Sequence, residues 1–138
     1  MTAVRKRKTR GDESTAYFGA RIPMRTRRAL ERYAVEKKLS ASAAAAQLLE
    51  EGLRMERFPG IDFRWTPSGR KAHVTATGLA AWEMHMLWKA HGKSVGRVLK
   101  NYPHLTAAQV QAGAAYIEVY PDEIPLMEPP AFAKVVKV

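Results

Sequence analysis

The feature that most constrains the fold is a short alternating segment followed by two helical patterns. Within residues 17–22, Phe18, Ala20 and Ile22 alternate with Tyr17, Gly19 and Arg21, which predicts a strand that Pro23 ends. A first helix is expected from about 25 to 38. A second helix, with Ser40 as its N-cap, is expected to follow and to reach about 56. A unit of this size cannot bury a sufficient core alone, and a lone strand leaves its amides and carbonyls unpaired. The pattern therefore predicts a homodimer in which two such strands pair antiparallel.

The charge of the chain indicates a polyanionic partner. The 138 residues carry 23 Lys and Arg against 13 Asp and Glu, a net charge of +10. Residues 1–60 hold 14 cations against 7 acids and residues 61–100 hold 7 against 2, whereas residues 101–138 hold 2 against 4. This distribution is typical of a nucleic-acid footprint over the first 100 residues.

A two-stranded ribbon fits the DNA major groove, and this predicts which side chains read bases. With Phe18, Ala20 and Ile22 directed to the helices, Tyr17, Gly19 and Arg21 face the base edges. Gly19 has no side chain for readout, so specificity rests on Arg21, Tyr17, DNA shape or the basic arm. The phosphate contacts predicted from the cations are Arg25, Arg5, Lys6, Arg7 and Lys8.

The stretch Tyr-Phe-Gly-Ala-Arg-Ile-Pro (17–23), together with Lys-Lys-Leu-Ser-Ala-Ser (37–42), resembles the ribbon-helix-helix (CopG/MetJ/Arc) family. The resemblance implies that alternate strand residues read bases. It also implies that Ser40, with the adjacent amides and Ser42, holds a phosphate. A helix N-terminus suits an anion in any fold, through its free amides and dipole.

A second unit is expected after Pro59-Gly60, over residues 58–123. Alternating residues predict a hairpin with strands at 61–65 and 70–75. A helix capped by Thr77 is expected from about 79 to 90, with inward residues Leu79, Trp82, Met86 and Ala90. Another should follow over 94–101. Thr106 and Gln109 form a capping box for the last, which reaches about 119.

The segment Asn-Tyr-Pro-His-Leu-Thr-Ala-Ala-Gln-Val (101–110), with weaker stretches around it, is similar to a short uncharacterised bacterial domain common in VapB-type antitoxins. The resemblance implies a helix-turn-helix-like arrangement and, as partner, a PIN-like ribonuclease toxin. Residues 124–138 are the candidate toxin-binding tail. The second unit also offers possible accessory DNA contacts at Arg70, Lys71, Lys93 and Arg97.

Nothing in the sequence favours catalysis. The chain has no cysteine, its four histidines lack metal-ligand spacing, and no phosphate loop, nucleophile elbow or paired-carboxylate pattern occurs. We expect no enzyme activity, no cofactor and no metal. No signal peptide or membrane span is evident, so we expect a cytoplasmic protein without a membrane partner.

The predicted fold is mostly α: a ribbon-helix-helix unit with an intermolecular two-stranded ribbon, then a small β-hairpin and a helix-turn-helix-like C-terminal domain. The predicted divisions are a basic arm (1–15), the dimerising DNA-binding unit (16–57), the antitoxin-like domain (58–123) and a flexible tail (124–138). The predicted function is a homodimeric, sequence-specific repressor of double-stranded DNA, of antitoxin type and autoregulating its operon. The alternatives are a stand-alone transcriptional or plasmid-maintenance regulator and a toxin-masking interaction module with weak DNA binding.

Overall fold

The computed structural model describes residues 14–126. Two predicted features lie outside the described residues. They are the phosphate contacts of the basic arm, at Arg5, Lys6, Arg7 and Lys8, and most of the tail from 124 to 138. Within 14–126 the chain is mostly helical with one two-stranded antiparallel hairpin. Its elements are α1 (Met24–Lys37), α2 (Ala41–Arg57), β1 (Ile61–Thr66), β2 (Gly69–Val74), α3 (Ala81–Ala90), α4 (Val95–Asn101), α5 (Ala107–Val119) and a single 3₁₀ turn at Pro121–Glu123.

The chain divides into two compact units, Met1–Ala44 and Ala45–Val138. The division falls inside α2, so most of that helix belongs to the second unit. The first unit contains α1 and the first turn of α2, and among its described residues, 14–44, the buried apolar ones are Ala34 and Ala44. Two alanines form a very small core.

The strand predicted over 17–22 does not form in the single chain. Residues 14–23 have no regular secondary structure and are exposed throughout. Phe18 and Ile22, predicted to face the helices, are 74% and 47% exposed. A strand needs a neighbour for its amides and carbonyls, and the single chain supplies none to this segment.

The two N-terminal helices lie where the hydrophobic pattern predicts them. α1 ends because Lys38 adopts a left-handed conformation (φ 60°), while the Leu39 amide donates to the Ala34 carbonyl at 2.8 Å. Ser40 then caps α2 as expected: its hydroxyl accepts from the Ala43 amide at 3.0 Å. Two large apolar side chains of α2 are exposed to solvent in the single chain: Leu49 is 52% and Leu53 is 63% exposed.

The hairpin predicted from the alternating residues of the second unit is confirmed. β1 and β2 pair antiparallel from Ile61 opposite Val74 to Thr66 opposite Gly69. Gly69 has φ +113°, a conformation that L side chains rarely adopt, so glycine suits the return of the chain there. Trp65 remains 39% exposed.

The core of the second unit lies where the hairpin, α3 and α5 meet. Its largest fully buried side chains are Tyr116, Met84, Leu87, Ile117, Val74, Val98 and Val110. At Gly113, α5 approaches α3 so closely that a Cβ would lie 2.6 Å from the Cβ of Met84. The tight crossing of α3 and α5 therefore depends on a glycine.

The predicted inward face of α3 is confirmed in part. Leu79, Trp82 and Met86 are partly buried and pack against the core, but Ala90 is exposed, and the fully buried residues of this helix are Ala81, Met84, His85 and Leu87. This helix is largely apolar, so its hydrophobic pattern does not single out the most deeply buried face. The prediction that Thr77 caps α3 is wrong, because its hydroxyl donates to the Val74 carbonyl of the preceding loop at 2.8 Å.

The helix starts further along the chain are confirmed. The Ser94 hydroxyl accepts from the Arg97 amide and opens α4. At α5 the capping box forms in both directions: the Thr106 hydroxyl accepts from the Gln109 amide at 3.1 Å, and the Gln109 side chain accepts from the Thr106 amide at 2.9 Å. Leu105 and Val110, which flank the box at the positions of a hydrophobic staple, are both buried.

Candidate nucleic-acid interface

The predicted base readers lie in the segment that precedes α1. Tyr17 is 96% exposed, and Gly19 and Arg21 are exposed as well. Pro23 joins this segment to α1, whose first amides from Thr26 and Arg27 donate to the Pro23 carbonyl at 3.0 and 3.1 Å. The readers are thus accessible in the single chain, beside a well-ordered helix start.

α1 presents a strongly cationic surface in the same unit. Arg25, Arg27, Arg28 and Arg32 are all exposed, and the first turn holds no acid. Arg27 pairs with Glu31 at 3.0 Å, an exposed i,i+4 ion pair of small energetic value. Arg25, the predicted phosphate contact, lies in the first turn, close in sequence to Arg21.

The N-terminus of α2 carries the predicted phosphate anchor. Ser40 and Ser42 are both exposed, and the Ser40 hydroxyl holds the Ala43 amide. The amides of a first helical turn lack intrahelical acceptors, and the helix dipole places partial positive charge there. No acid occupies the first turn of α2, so its positive end is not neutralised locally.

Arg70, one of the predicted accessory contacts, is engaged within the protein. Its guanidinium donates to both carboxylate oxygens of Glu51 at 2.8 to 3.2 Å and lies 5.4 Å from the centre of the Trp65 ring. The side chains of Arg70 and Glu51 are 21% and 10% exposed. Releasing this arginine to a phosphate would leave the Glu51 carboxylate buried and unpaired, which is costly. Lys71 follows it on β2 and is partly buried, opposite Arg64.

A second ion-pair network, which was not predicted from the sequence, secures the C-terminal half of α2. The Arg54 guanidinium donates to the Tyr116 hydroxyl at 2.8 Å, to Glu123 at 2.9 Å and to Glu50 at 2.6 Å, and stacks 3.9 Å from the Tyr120 ring centre. The i,i+4 spacing of Glu50 and Arg54 was the one signal for it in the sequence. The contacts with α5 and the 3₁₀ turn join residues more than 60 positions apart and leave no local pattern.

Burial and neighbouring charges raise the pKa values of two groups in this network, Tyr116 and Arg54. Burial, together with the Glu123 carboxylate beside its hydroxyl, raises the pKa of Tyr116 above its ordinary value of 10. Although partial burial opposes its charge, the neighbouring Tyr116 and Glu50 oxygens raise the pKa of Arg54. The arginine therefore stays charged and the tyrosine stays neutral at every physiological pH.

Two of the four histidines, His85 and His91, connect helices of the second unit. His91 donates from Nδ1 to the Leu87 carbonyl at 2.8 Å and accepts from the Asn101 amide at Nε2 at 2.9 Å, which ties the end of α3 to the end of α4. Buried His85 contacts Glu118 of α5 at 3.0 Å, and this hydrogen bond lowers the pKa of Glu118. Across residues 14–126 no three His, Cys, Asp or Glu side chains cluster as metal ligands.

The remaining accessory candidates, Lys93 and Arg97, lie at the junction of α3 and α4. Lys93 follows Gly92 in the turn, and Arg97 is in the first turn of α4. Both are exposed, unlike the partly buried Arg70 and Lys71. Of the four predicted accessory contacts, Lys93 and Arg97 are therefore accessible to another molecule, and Arg70 and Lys71 are less so.

Comparison with known proteins identifies one region. Residues 68–117, from the hairpin turn to α5, match the model of a family described as "Protein of unknown function (DUF433)". No curated protein and no solved structure matches the chain. The match agrees with the expectation of a small uncharacterised domain in this region, and it carries no statement of activity. The ribbon-helix-helix and antitoxin resemblances stay predictions. None of the described helices is long and apolar enough to cross a membrane.

Proposed function

We propose that the chain is a homodimeric, sequence-specific DNA-binding repressor whose N-terminal unit pairs with a second copy. The observation that carries the proposal is that this unit has a very small buried core and several large apolar side chains exposed to solvent. Within residues 14–44 the buried apolar side chains are those of Ala34 and Ala44, while Phe18, Ile22, Met24 and Val35 are 47% to 79% exposed. Exposed large apolar side chains beside exposed arginines fit a surface that awaits a partner.

A second copy is the partner that best fits this surface. Residues 17–22 have unpaired backbone groups and an alternating pattern, so pairing with the same segment of another chain satisfies both strands at once. Such pairing directs Phe18 and Ile22 to the helices. Tyr17 and Arg21 then project from the other face of the ribbon.

The charges favour DNA as the ligand of that ribbon. Arg21, Arg25 and the open N-terminus of α2 lie in one unit of the chain and supply the donors that base edges and phosphates need. Arginine pairs bidentately with guanine in the major groove, which makes Arg21 the principal base reader of each strand. In this proposal Ser40 and the first-turn amides of α2 hold a phosphate.

Selection of bound sequences from random duplex DNA tests the proposal. We expect an enriched site with two-fold symmetry, because the dimer presents two equal ribbon strands. The Arg21→Ala variant should relax the preference at one base position per half-site and lose about 1–3 kcal/mol on the selected site.

Arg25→Ala is the matched control, since it removes the same charge from a predicted phosphate contact. It should weaken binding by a similar factor on all sequences and leave the preference unchanged. Equal losses on every sequence for Arg21→Ala would contradict the base-reading role. Absence of an enriched sequence would contradict the repressor function itself.

We further propose that this repressor is of antitoxin type and binds a toxin through its C-terminal segment. The support for this comes from the C-terminal end of the described residues. There Leu126 is 97% exposed, at the start of the segment predicted to bind a PIN-like ribonuclease. Exposed apolar side chains in a terminal segment suit docking on a partner. We expect the full chain, but not a chain truncated after residue 123, to inhibit RNA cleavage by a PIN-like nuclease encoded beside it. Inhibition by the truncated chain would contradict this role of the segment.

A further inference from the structure

The junction of α3 and α4 carries a concentration of positive charge that the proposed ribbon does not use. Between Glu83 and Glu118 the chain has no Asp or Glu, and its cations in that interval are Lys89, Lys93, Arg97 and Lys100. All four are exposed. We refer to these four residues as the α3–α4 basic patch.

The patch sits on a well-defined turn. His91 closes the junction, because its two ring nitrogens bond the Leu87 carbonyl and the Asn101 side chain. Gly92 and Lys93 both adopt positive φ, and the Lys93 amide donates to the Trp88 carbonyl at 2.8 Å. The cations are therefore presented by a turn whose backbone is fixed on both sides.

Three members of the patch, Lys89, Lys93 and Arg97, lie near the turn. The Arg97 guanidinium is so near it that a Cβ on Gly92 would lie 2.9 Å from one of its nitrogens. Lys89 and Lys93 both act electrostatically on the exposed Glu118 carboxylate, and Lys93 lies 5.6 Å from the centre of the Trp88 ring. No ion pair among residues 14–126 includes any of the four cations. Glu118 offsets part of this charge, and a polyanion relieves the repulsion among the cations that remains.

The hairpin arginines differ from the patch in this respect. Arg64 donates to Asp62 at 2.8 Å and to the Thr77 carbonyl at 3.0 Å, and Arg70 is held by Glu51. The charges of Arg64 and Arg70 already have partners within the fold. Among the described residues of the second unit, the cations without an ion pair are Arg57, Lys71 and the four of the patch, so most of the unpaired charge lies at the α3–α4 junction.

A nucleic acid fits the patch better than a membrane surface does. Binding in a lipid interface needs large apolar side chains that insert beside the cations. The large apolar side chains that stand exposed lie in residues 17–65 and 119–126, none of them between residues 84 and 104. A polar, cationic surface without apolar anchors suits a phosphate backbone, which is bound through charge and hydrogen bonds.

We propose that the α3–α4 basic patch is a second DNA contact, which binds the phosphate backbone of duplex beside the site read by the ribbon. This inference deepens the proposed function and rests on it for the identity of the polyanion. The patch contributes affinity without sequence preference, because lysines and an arginine on phosphates carry no base information. It also lengthens the footprint of each protomer beyond the ribbon.

The test compares two charge-neutralising double variants of the full chain. The first, Lys93→Gln with Arg97→Gln, removes two charges from the patch. The control, Arg57→Gln with Lys71→Gln, removes two charges from the second unit outside it. For each protein, duplex binding is measured over a series of salt concentrations, on the selected site and on unrelated sequences of the same length, with circular dichroism to check folding.

The patch variant loses two cations from each protomer, so we expect the slope of log K against log salt for the dimer to fall by roughly 4, on selected and unrelated duplexes alike. At about 0.1 M salt, binding should be weaker by roughly a thousandfold. The control should reduce the slope by clearly less. An unchanged slope in the patch variant, an equal reduction in the control, or an altered sequence preference would each overturn the inference.

Further outcomes separate this inference from the proposed function. If Arg21→Ala relaxes specificity but the patch variant binds like the wild type, the inference fails and the ribbon stands. If the patch variant loses affinity while Arg21→Ala changes nothing, the patch stands and base reading by the ribbon fails. Binding to phosphatidylserine vesicles that depends on the patch, with no change in duplex binding, would assign the patch to a membrane and overturn the inference.

Discussion

At the scale of single residues, Gly113 decides how closely α5 approaches α3. A Cβ at this position would lie 2.6 and 2.7 Å from Met84 atoms and 3.2 Å from Val74. Gly113→Ala should therefore lower the free energy of unfolding by about 1–3 kcal/mol through overpacking. Urea denaturation measures the change.

Gly52 provides the matched control for Gly113, because it lies inside α2 and a Cβ added there would have no neighbouring atom within 4 Å. Gly52→Ala should raise the stability by about 0.5–1 kcal/mol, since alanine loses less backbone entropy in a helix. If both glycine variants changed stability in the same direction, close packing at Gly113 would not be the cause.

Tyr116 is a residue whose environment predicts a pH dependence. Its pKa is raised by burial and by Glu123, so the folded chain keeps the hydroxyl protonated where the unfolded chain ionises. The stabilisation is fully present below the unfolded pKa of about 10, and is lost as the pH rises through the higher folded pKa. We expect the wild type to lose stability above about pH 10, and Tyr116→Phe to lose less. Urea midpoints measured at several alkaline pH values test this, and parallel pH profiles would contradict it.

At the scale of elements, the capping box at α5 is the strongest local determinant of the second unit. Thr106→Ala removes the acceptor for the Gln109 amide, and should lower the free energy of unfolding by about 1 kcal/mol. Thr106→Ser keeps a hydroxyl and should remain within a few tenths of a kcal/mol of the wild type. Thermal unfolding of the two variants checks the difference, and equal losses would assign the effect to the Thr106 methyl group instead.

At the scale of the whole molecule, the exposed apolar residues of the N-terminal unit predict a dimer. Ile22, 47% exposed in the single chain, becomes buried if two ribbon strands pair. Ile22→Glu would bury a charge in that pairing, and should weaken dimerisation by roughly a hundredfold or more. Sedimentation equilibrium at micromolar concentration measures the effect.

Arg21→Glu is the matched control for Ile22→Glu, because Arg21 projects from the opposite face of the predicted ribbon. It should leave the dimer intact while reducing DNA binding. A monomeric wild type at micromolar concentration would contradict the ribbon, and so would equal dissociation of the two variants.

Elements with a strong local signal could be predicted, and long-range contacts could not. The bounds of α1 and α2, the hairpin and the Thr106 box follow from periodicity and capping, which act over a few residues. The inward face of α3 was predicted only in part: Trp82 and Met86 pack against the core, but Met84 and Leu87 are the more deeply buried residues, because a largely apolar helix has no clear hydrophobic side. Thr77 was misassigned because a loop carbonyl competes for its hydroxyl.

The sequence by itself determined the charge, the order of the elements and the alternating segment that needs a partner, since all of these are properties of residue type and spacing. Only the tertiary structure decided which cations are available. It pairs Arg70 with Glu51 and Arg54 with Glu123, and it leaves the four cations of the α3–α4 basic patch without an ion pair among the described residues. The physical reason is that an ion pair depends on distance in space, and these partners lie 19 and 69 residues apart in the chain.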